Sequence, residues 1–377
     1  MFADPTDLRL AFSHALSEMY RAEVPAYGTL LDIVSEVNES DESARIAEER
    51  HGAIRVGTAN ELNLVGRVFA LMGMEPVGYY DLGVSGLPVH STAFRPVTRE
   101  GLEACPFRVF TSLLRLNAIA DSDLRETARE TLSTRHILTD HALNHLDKAE
   151  AAGGVEERDA DAFIAAVLDT FRWHETARVR EATYRELLKV SGLVADIVSF
   201  RGPHINHLTP RVTDIERAQG LMSERGLQAK DTIEGPPARE CPILLRQTAF
   251  KALTEDVKFA DGVEGGHTAR FGEIEQRGAA LTRKGMTLYD AAMGDGDFGR
   301  IPDDWDALEA EGLIYSRDVT YEDFLPVSAA GIFRSNLDSR SGEGAVTASS
   351  QEEFEAALGR PVLDRFDWYE ASVAGAA

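Results

Sequence analysis

The chain carries the same short pattern twice, at one spacing. "RHGAIRVG" covers 50–57 and "NHLTPRVT" covers 206–213, and each places a histidine four residues before an arginine: His51 with Arg55, His207 with Arg211. The two histidines stand 156 residues apart. A second pair keeps that register. "STAFRPVT" at 91–98 and "QTAFKALT" at 247–254 align Thr92, Ala93 and Phe94 with Thr248, Ala249 and Phe250, and Arg95 with Lys251. Two matches in one register mark a duplicated structural unit, so the fold must be built from two related halves.

Each half reads as a strand, a helix and further strands. In the first, Ala53, Ile54 and Val56 suit a strand on which His51, Ala53 and Arg55 share a face. A core face does not normally carry both an imidazole and a guanidinium, so this face is either wet or lines a site. "NELNLVGRVFALMGM" has helical apolar spacing at Leu62, Val65, Val68, Phe69 and Met72. "PVGYYDL" and "VHSTAFRPV" then alternate like strands. In the second half "NHLTPRVT" is a strand, Asp214 is placed to cap a helix over "IERAQGLMSERG", and Gly226 to stop it. "CPILLRQTAFKAL" and "RFGEIEQRG" follow as strands. The expectation is an α+β fold of two βαβββ modules, forming a curved sheet that closes a site between them.

The rest of the chain is helical or mixed. Residues 5–38 have helical character, and 111–197, rich in Leu, Ala, Glu and Arg, reads as a large helical insertion. The expected division is an N-terminal helical segment (1–45), a first module (46–110), the insertion (111–197), a second module (198–280) and a C-terminal segment (281–377).

The 377 residues carry a formal net charge of −24, which argues against nucleic acid or an anionic membrane as partner, since both need a basic patch. Cys105 and Cys241 are too few for a disulfide framework or a thiolate metal site. "MFADPTDLRLAF" lacks the basic start and apolar stretch of a secretory signal, and no run of 18 apolar residues exists. A cytoplasmic protein acting on small molecules is the default expectation.

On the strand "RFGEIEQRG", alternation puts Phe271, Glu273, Glu275 and Arg277 on one face. Neighbouring acids repel unless a cation or a basic residue offsets them. His51, His207 and Glu273 together make two histidines and one carboxylate, the facial set that suits non-haem Fe(II) because three coordination positions stay open. A lone histidine on a strand is more often a satisfied polar residue than a ligand, but the duplication gives both histidines one position in related strands. Other features read more plainly. His141 and His145 share a solvated helix face. His204 faces away from His207 if both lie on one strand. His90 belongs to the core. His267 precedes the Glu273 strand and is in reach of the groups around it. "GDGDFG" at 294–299 lacks the acidic spacing of a calcium loop and reads as a turn.

"INHLTPRVTDIERA" and "RFGEIEQR" resemble the second metal-binding module of the vicinal oxygen chelate superfamily, in particular 4-hydroxyphenylpyruvate dioxygenase and hydroxymandelate synthase. There, as with His207 and Asp214, a His opens a strand seven residues before an Asp. "RHGAIRVGTANEL", "VGRVFALMGMEPVGYYDL", "PVHSTAFRP" and "LPVSAAGIFRSNL" resemble the 2-oxoadipate dioxygenase/decarboxylase (2-hydroxyglutarate synthase) family, over about residues 5–345. The resemblance implies that His51, His207 and Glu273 bind Fe(II), that Arg55 holds a substrate carboxylate, and that Val327 and Ser328 line the substrate pocket. It implies a reaction in which a 2-oxo diacid chelates the iron and O2 takes the remaining position. 2-Oxoadipate loses CO2 and becomes 2-hydroxyglutarate. Two other readings remain open: a Lewis-acid enzyme of the superfamily, such as a glyoxalase or isomerase, and a metal-free binding protein of the same fold.

Overall fold

Helix α1 (Pro5–Glu23) starts where proline is tolerated, and the Asp4 side chain accepts the Thr6 N–H. Its Leu8, Phe12, Leu16 and Met19 recur at helical spacing and are buried. Helix α2 (Pro25–Asn38) and the short α3 (Ala44–Glu48) lead into the first module. The structure, a computed structural model, describes residues 1–39, 44–234, 245–278, 288–291, 314–317, 320–325, 329 and 348–373.

The first module is β1 (Arg50–Val56), α4 (Ala59–Leu71), β2 (Glu75–Asp81), β3 (Val89–Arg95), α5 (Arg99–Ala104) and β4 (Arg108–Leu114). Helix α4 is capped by Thr58, whose side chain accepts the Glu61 N–H. Helices α6 (Ser122–Ser133), α7 (Asp140–Ala152), α8 (Ala160–Leu168), α9 (Glu181–Val190) and α10 (Gly192–Ser199) follow. The second module has β5 (His207–Pro210), α11 (Ile215–Glu224), β6 (Leu245–Ala249), a hairpin of β7 (Thr254–Lys258) and β8 (Glu264–Thr268), and β9 (Phe271–Arg277). Asp214 caps α11 by accepting the Arg217 N–H, and Gly226 ends it at φ 77, in the left-handed region where glycine is unstrained. Strands β10 (Leu288–Ala291) and β11 (Ile314–Arg317) pair with each other, and α12 (Ala348–Leu358) and α13 (Arg365–Val373) end the described chain.

Among the described residues the main sheet has seven strands in the order β2-β3-β4-β1-β5-β9-β6, and it is strongly curled. Its two halves repeat one arrangement. β1 runs parallel to β4, and β5 parallel to β9; β3 is antiparallel to β4, and β6 to β9. The halves join where β1 meets β5 antiparallel, with Ala53 opposite His207 and His51 opposite Thr209. In the second half the described partner of β6 on its outer side is reduced to two isolated bridges, Ala229 to Phe250 and Glu234 to Gln247.

The sheet divides two apolar layers. Ile54, Val56, Val109, Leu113, Leu208 and Ile274 pack outward against Leu8, Phe12, Leu30, Ile33, Leu62 and Phe69 of the helices. Phe12, fully buried, touches Phe69, Phe107 and Phe171 edge-on. Truncating such a residue to alanine costs about 3–5 kcal/mol. Inward, Ala53, Val89, Ala93, Phe110 and Leu114 meet Leu193, Val194, Ile197 and Val198 of α10, together with Phe324.

Two sequence expectations change. Strand β4 runs to Leu114, across the boundary set at 110, so the insertion becomes helical only after it. "RVFTSLL" packs on both faces and therefore lacks the alternation that marks a half-exposed strand. The β7–β8 hairpin is an addition to the expected module, hidden in sequence because "TEDVK" and "EGGHT" are largely exposed and carry few apolar residues. No helix among the described residues is long and apolar enough to cross a membrane.

Candidate metal centre

The join between the halves brings three buried side chains together. His51 of β1, His207 of β5 and Glu273 of β9 each offer one ligand atom, all within 4.8 Å of one another. Nε2 of His51 lies 3.6 Å and Nε2 of His207 3.7 Å from Oε2 of Glu273. The two imidazoles stand at 90° with centroids 5.5 Å apart. Donor atoms each about 2.1 Å from one ion, at roughly right angles, stand about 3 Å apart, so a small contraction separates this arrangement from a coordination shell.

The hydrogen bonding shows that these atoms want a further partner. Thr209 Oγ1 donates to Oε2 of Glu273 at 3.0 Å, and Gln247 Nε2 to the same oxygen at 3.4 Å. Among the described residues, Oε1 of Glu273, Nε2 of His51 and both ring nitrogens of His207 have no hydrogen-bond partner, though all are buried. A single orphaned buried polar atom costs about 1–3 kcal/mol. Several orphans gathered at one place fit a bound cation, and two imidazoles with one carboxylate suit a first-row divalent metal.

The charges around the triad support this. Burial, followed by the nearby His51 and Arg55, holds His207 well below the usual imidazole range, so it presents a neutral ring able to donate a lone pair. Burial pushes Glu273 up, against the pull of His51. For His51, burial works downward but Glu275 and Glu273 outweigh it, and the net shift is upward. Nδ1 of His51 lies 3.0 Å from Oε2 of Glu275, whose other oxygen accepts from Arg277 Nε at 2.7 Å. Burial opposes ionisation of Glu275, but Arg277 and His51 prevail and bring it down to about 2. A carboxylate on the far nitrogen of a ligating imidazole fixes the ring and its tautomer.

A segment from beyond the second module closes one side. Arg277 Nη1 donates to the carbonyls of Tyr321 at 2.7 Å and Asp323 at 2.8 Å. Glu322 pairs with Arg108 and, at 2.6 Å, with Arg45. These ties set the ring of Phe324 4.9 Å from His51 and 5.3 Å from Phe110. Val327 and Ser328, just beyond, lie outside the described residues.

Arg55 is buried on the same strand face as His51, and its Nη1 donates to Oδ2 of Asp196 at 2.5 Å. The other histidines take separate places. His204 precedes β5 rather than lying on it, and its Nε2 is 3.3 Å from Asp196. His267 contacts Asp196 and Tyr184, not the triad. His90 packs against Phe354, 3.2 Å from the Tyr79 hydroxyl, and burial, followed by Arg115, lowers it to about 4. His141 is exposed beside His145. Cys105 is buried; Cys241 and residues 294–299 lie outside the described residues. Sequence reasoning missed Asp196. Its signal is visible: it is the one charged residue in the apolar run "GLVADIVSF".

A model of the 2-oxoadipate dioxygenase/decarboxylase family matches residues 12–336. The chain is 47% identical to the 2-oxoadipate dioxygenase/decarboxylase of Escherichia coli K12, covering 97% of this chain and 95% of that one. It is 46% identical to the protein of that name from Pseudomonas putida, covering 98% and 95%. It is also similar to the crystal structure of the Pseudomonas putida hydroxyglutarate synthase in complex with 2-oxoadipate. The TM-score is 0.89 at 42% identity, over 100% of this chain and 97% of that one.

Proposed function

Because the chain belongs to the 2-oxoadipate dioxygenase/decarboxylase family, we propose that it converts 2-oxoadipate and O2 to 2-hydroxyglutarate and CO2, using Fe(II), as a cytoplasmic step of lysine breakdown. The observation that carries this reading is the set of orphaned donor atoms on His51, His207 and Glu273. The set supplies three protein ligands and leaves room for substrate and O2. Fe(II), when bound there, supplies the chelation of a 2-oxo acid and the redox chemistry that no side chain of the chain provides.

The protein's own part is binding and orientation. Arg55 is four residues beyond His51 on one strand face, about 13 Å along the backbone. A long guanidinium reaching back from there meets the distal carboxylate of a six-carbon diacid whose 2-oxo acid end lies at the triad. The fork geometry fixes direction as well as charge. Phe324 and Phe110 keep water from one side of the centre. The resemblance assigns Val327 and Ser328, which lie outside the described residues, to the same substrate.

The reaction balances without a second 2-oxo acid. Both atoms of O2 remain in the organic product, one in the new carboxylate and one in the new hydroxyl. The test is O2 uptake by the Fe(II)-loaded protein with a panel of 2-oxo diacids, followed by labelled O2. The expected result is one O2 consumed and one CO2 released per 2-oxoadipate, with label at both positions in brief incubations. Absence of O2 uptake with every diacid would overturn the oxygenase reading in favour of Lewis-acid chemistry.

A further inference from the structure

Helix α10 buries a charge where an apolar residue would pack. Asp196 is 4% exposed, between Ala195 and Ile197 of the inner apolar layer. A carboxylate in such a place costs several kcal/mol unless charge and hydrogen bonds offset it. Here they do. Arg55 Nη1 donates to Oδ2 at 2.5 Å and Asn206 Nδ2 to the same oxygen at 3.4 Å. Nε2 of His267 is 2.9 Å and Nε2 of His204 3.3 Å from Oδ1. The Tyr184 hydroxyl lies 2.9 Å from Nδ1 of His267, and Trp173 stacks on that ring at 5.8 Å and 7°. Together these contacts hold the carboxylate in place.

The duplication shows that this cluster is an addition. Arg211, the counterpart of Arg55 in the second half, pairs with Glu49 at 2.6 Å. The groups around Asp196 come largely from elements outside the repeated pattern: α9 and α10 of the insertion, and β8 of the hairpin. These separate additions converge on one arginine.

Resting on the reading of Arg55 as the anchor for a distal carboxylate, we propose that Asp196 is the positioning residue for that arginine, and that it thereby sets the enzyme's preference for a diacid over a mono-acid. Asp196 does not touch substrate. It holds the guanidinium at the angle that the ligand's far carboxylate requires.

A merely structural ion pair and a positioning one differ in selectivity. The experiment is anaerobic calorimetric titration of the Fe(II)-loaded protein with 2-oxoadipate and with 2-oxohexanoate, which has the same chain length but lacks the distal carboxylate. For Asp196→Asn, the dissociation constant for 2-oxoadipate should rise about tenfold, while that for 2-oxohexanoate and the iron content stay at wild-type values. In turnover the loss should fall on KM more than on kcat. Equal losses for both acids, no loss, or tighter binding of the diacid would overturn the proposal. Wild-type protein that binds both acids alike would instead overturn the reading of Arg55 itself. If Asp196→Asn does not fold, His267→Gln carries the test, because it disturbs the 2.9 Å contact without touching Arg55. A loss of about threefold confined to the diacid supports the proposal, and an equal or absent loss overturns it.

Discussion

Phe110 stands in the first half where Glu273 stands in the second. In the first half His51 is opposite Arg108, and in the second His207 is opposite Phe271, so the residues two further along β4 and β9 are Phe110 and Glu273. A duplicated unit with a carboxylate in both places would surround the ion with four protein ligands. This chain has an aromatic ring in one of them, packed 5.3 Å from Phe324. With a metal at the triad, the asymmetry would leave coordination positions open on the side of the first half.

Phe110→Glu should therefore close the centre. A fourth ligand tightens metal binding by at least about tenfold and lowers turnover by about a hundredfold or more, because substrate chelation loses a position. Competition with a chromophoric chelator measures the first effect and O2 uptake the second. Retained turnover in a variant that holds its metal more tightly would show that Phe110 does not border the open positions.

Glu275→Gln tests the carboxylate behind His51. Glutamine keeps the size but not the charge that lies 3.0 Å from Nδ1. Loss of such a partner typically costs about 10–100-fold in metal affinity. The same change leaves Arg277 without its closest carboxylate, 2.7 Å away. The melting temperature should therefore fall as well, and comparing metal-free with metal-loaded protein separates the two effects.

The triad is legible in the sequence because its histidines occupy one position in duplicated strands, and duplication survives in sequence as a register. Strand alternation likewise puts Glu275 and Arg277 on the Glu273 face. It does not reveal that Arg277 serves Glu275 and the 321–323 backbone rather than Glu273, because partner choice depends on segments far away in the chain. Asp196 and His267 are illegible as a pair for the same reason: 71 residues separate them, and neither lies in the repeat. The alternation argument for His204 needs a strand, and β5 begins only at His207. Pro203 precedes His204, and the chain meets the sheet only at Asn206, whose N–H donates to the Ala53 carbonyl at 2.9 Å.

Acid should unfold the metal-free protein in a defined window. Glu275, at about 2 against an ordinary 4.5, and Glu49 and Asp196, both held well below their ordinary values, have depressed folded-state pKa values. For each, burial pushes upward but neighbouring basic groups prevail: Arg277 first for Glu275, Arg108 for Glu49, and His204 with Arg55 for Asp196. Their stabilisation is complete above the unfolded-state pKa and is lost as pH falls toward the folded one. His204, which burial lowers to about 3 from 6.5, acts in the same direction, since the unfolded chain takes up its proton first. His51, raised by Glu275 and Glu273 against burial, runs the other way. The melting temperature should decline gently below about pH 6.5 and steeply below about pH 4.5. Calorimetry across about pH 2–7 checks this, and a flat profile below about pH 4.5 would mean that the buried carboxylates are not ionised in the folded protein.

Arg55→Lys separates charge from geometry at the proposed substrate anchor. The ammonium keeps the positive charge and can still meet Asp196, whose Oδ2 accepts from Arg55 at 2.5 Å. It cannot present a planar fork, and its hydration is more costly to remove. A distal carboxylate that relies on the fork would then be held by one contact of poor direction, and the reacting carbon would wander relative to the triad. The expected loss in kcat/KM for 2-oxoadipate is about 2–4 kcal/mol, comparable to breaking a buried hydrogen-bonded charge pair. Iron content should not change, because Arg55 contributes no ligand atom to the set of His51, His207 and Glu273. The comparison substrate is again a mono-2-oxo acid of equal length. Its slow turnover should be nearly unaffected, since it offers Arg55 nothing to hold. Wild-type efficiency on 2-oxoadipate in the Arg55→Lys variant would move Arg55 from substrate recognition to a structural partnership with Asp196.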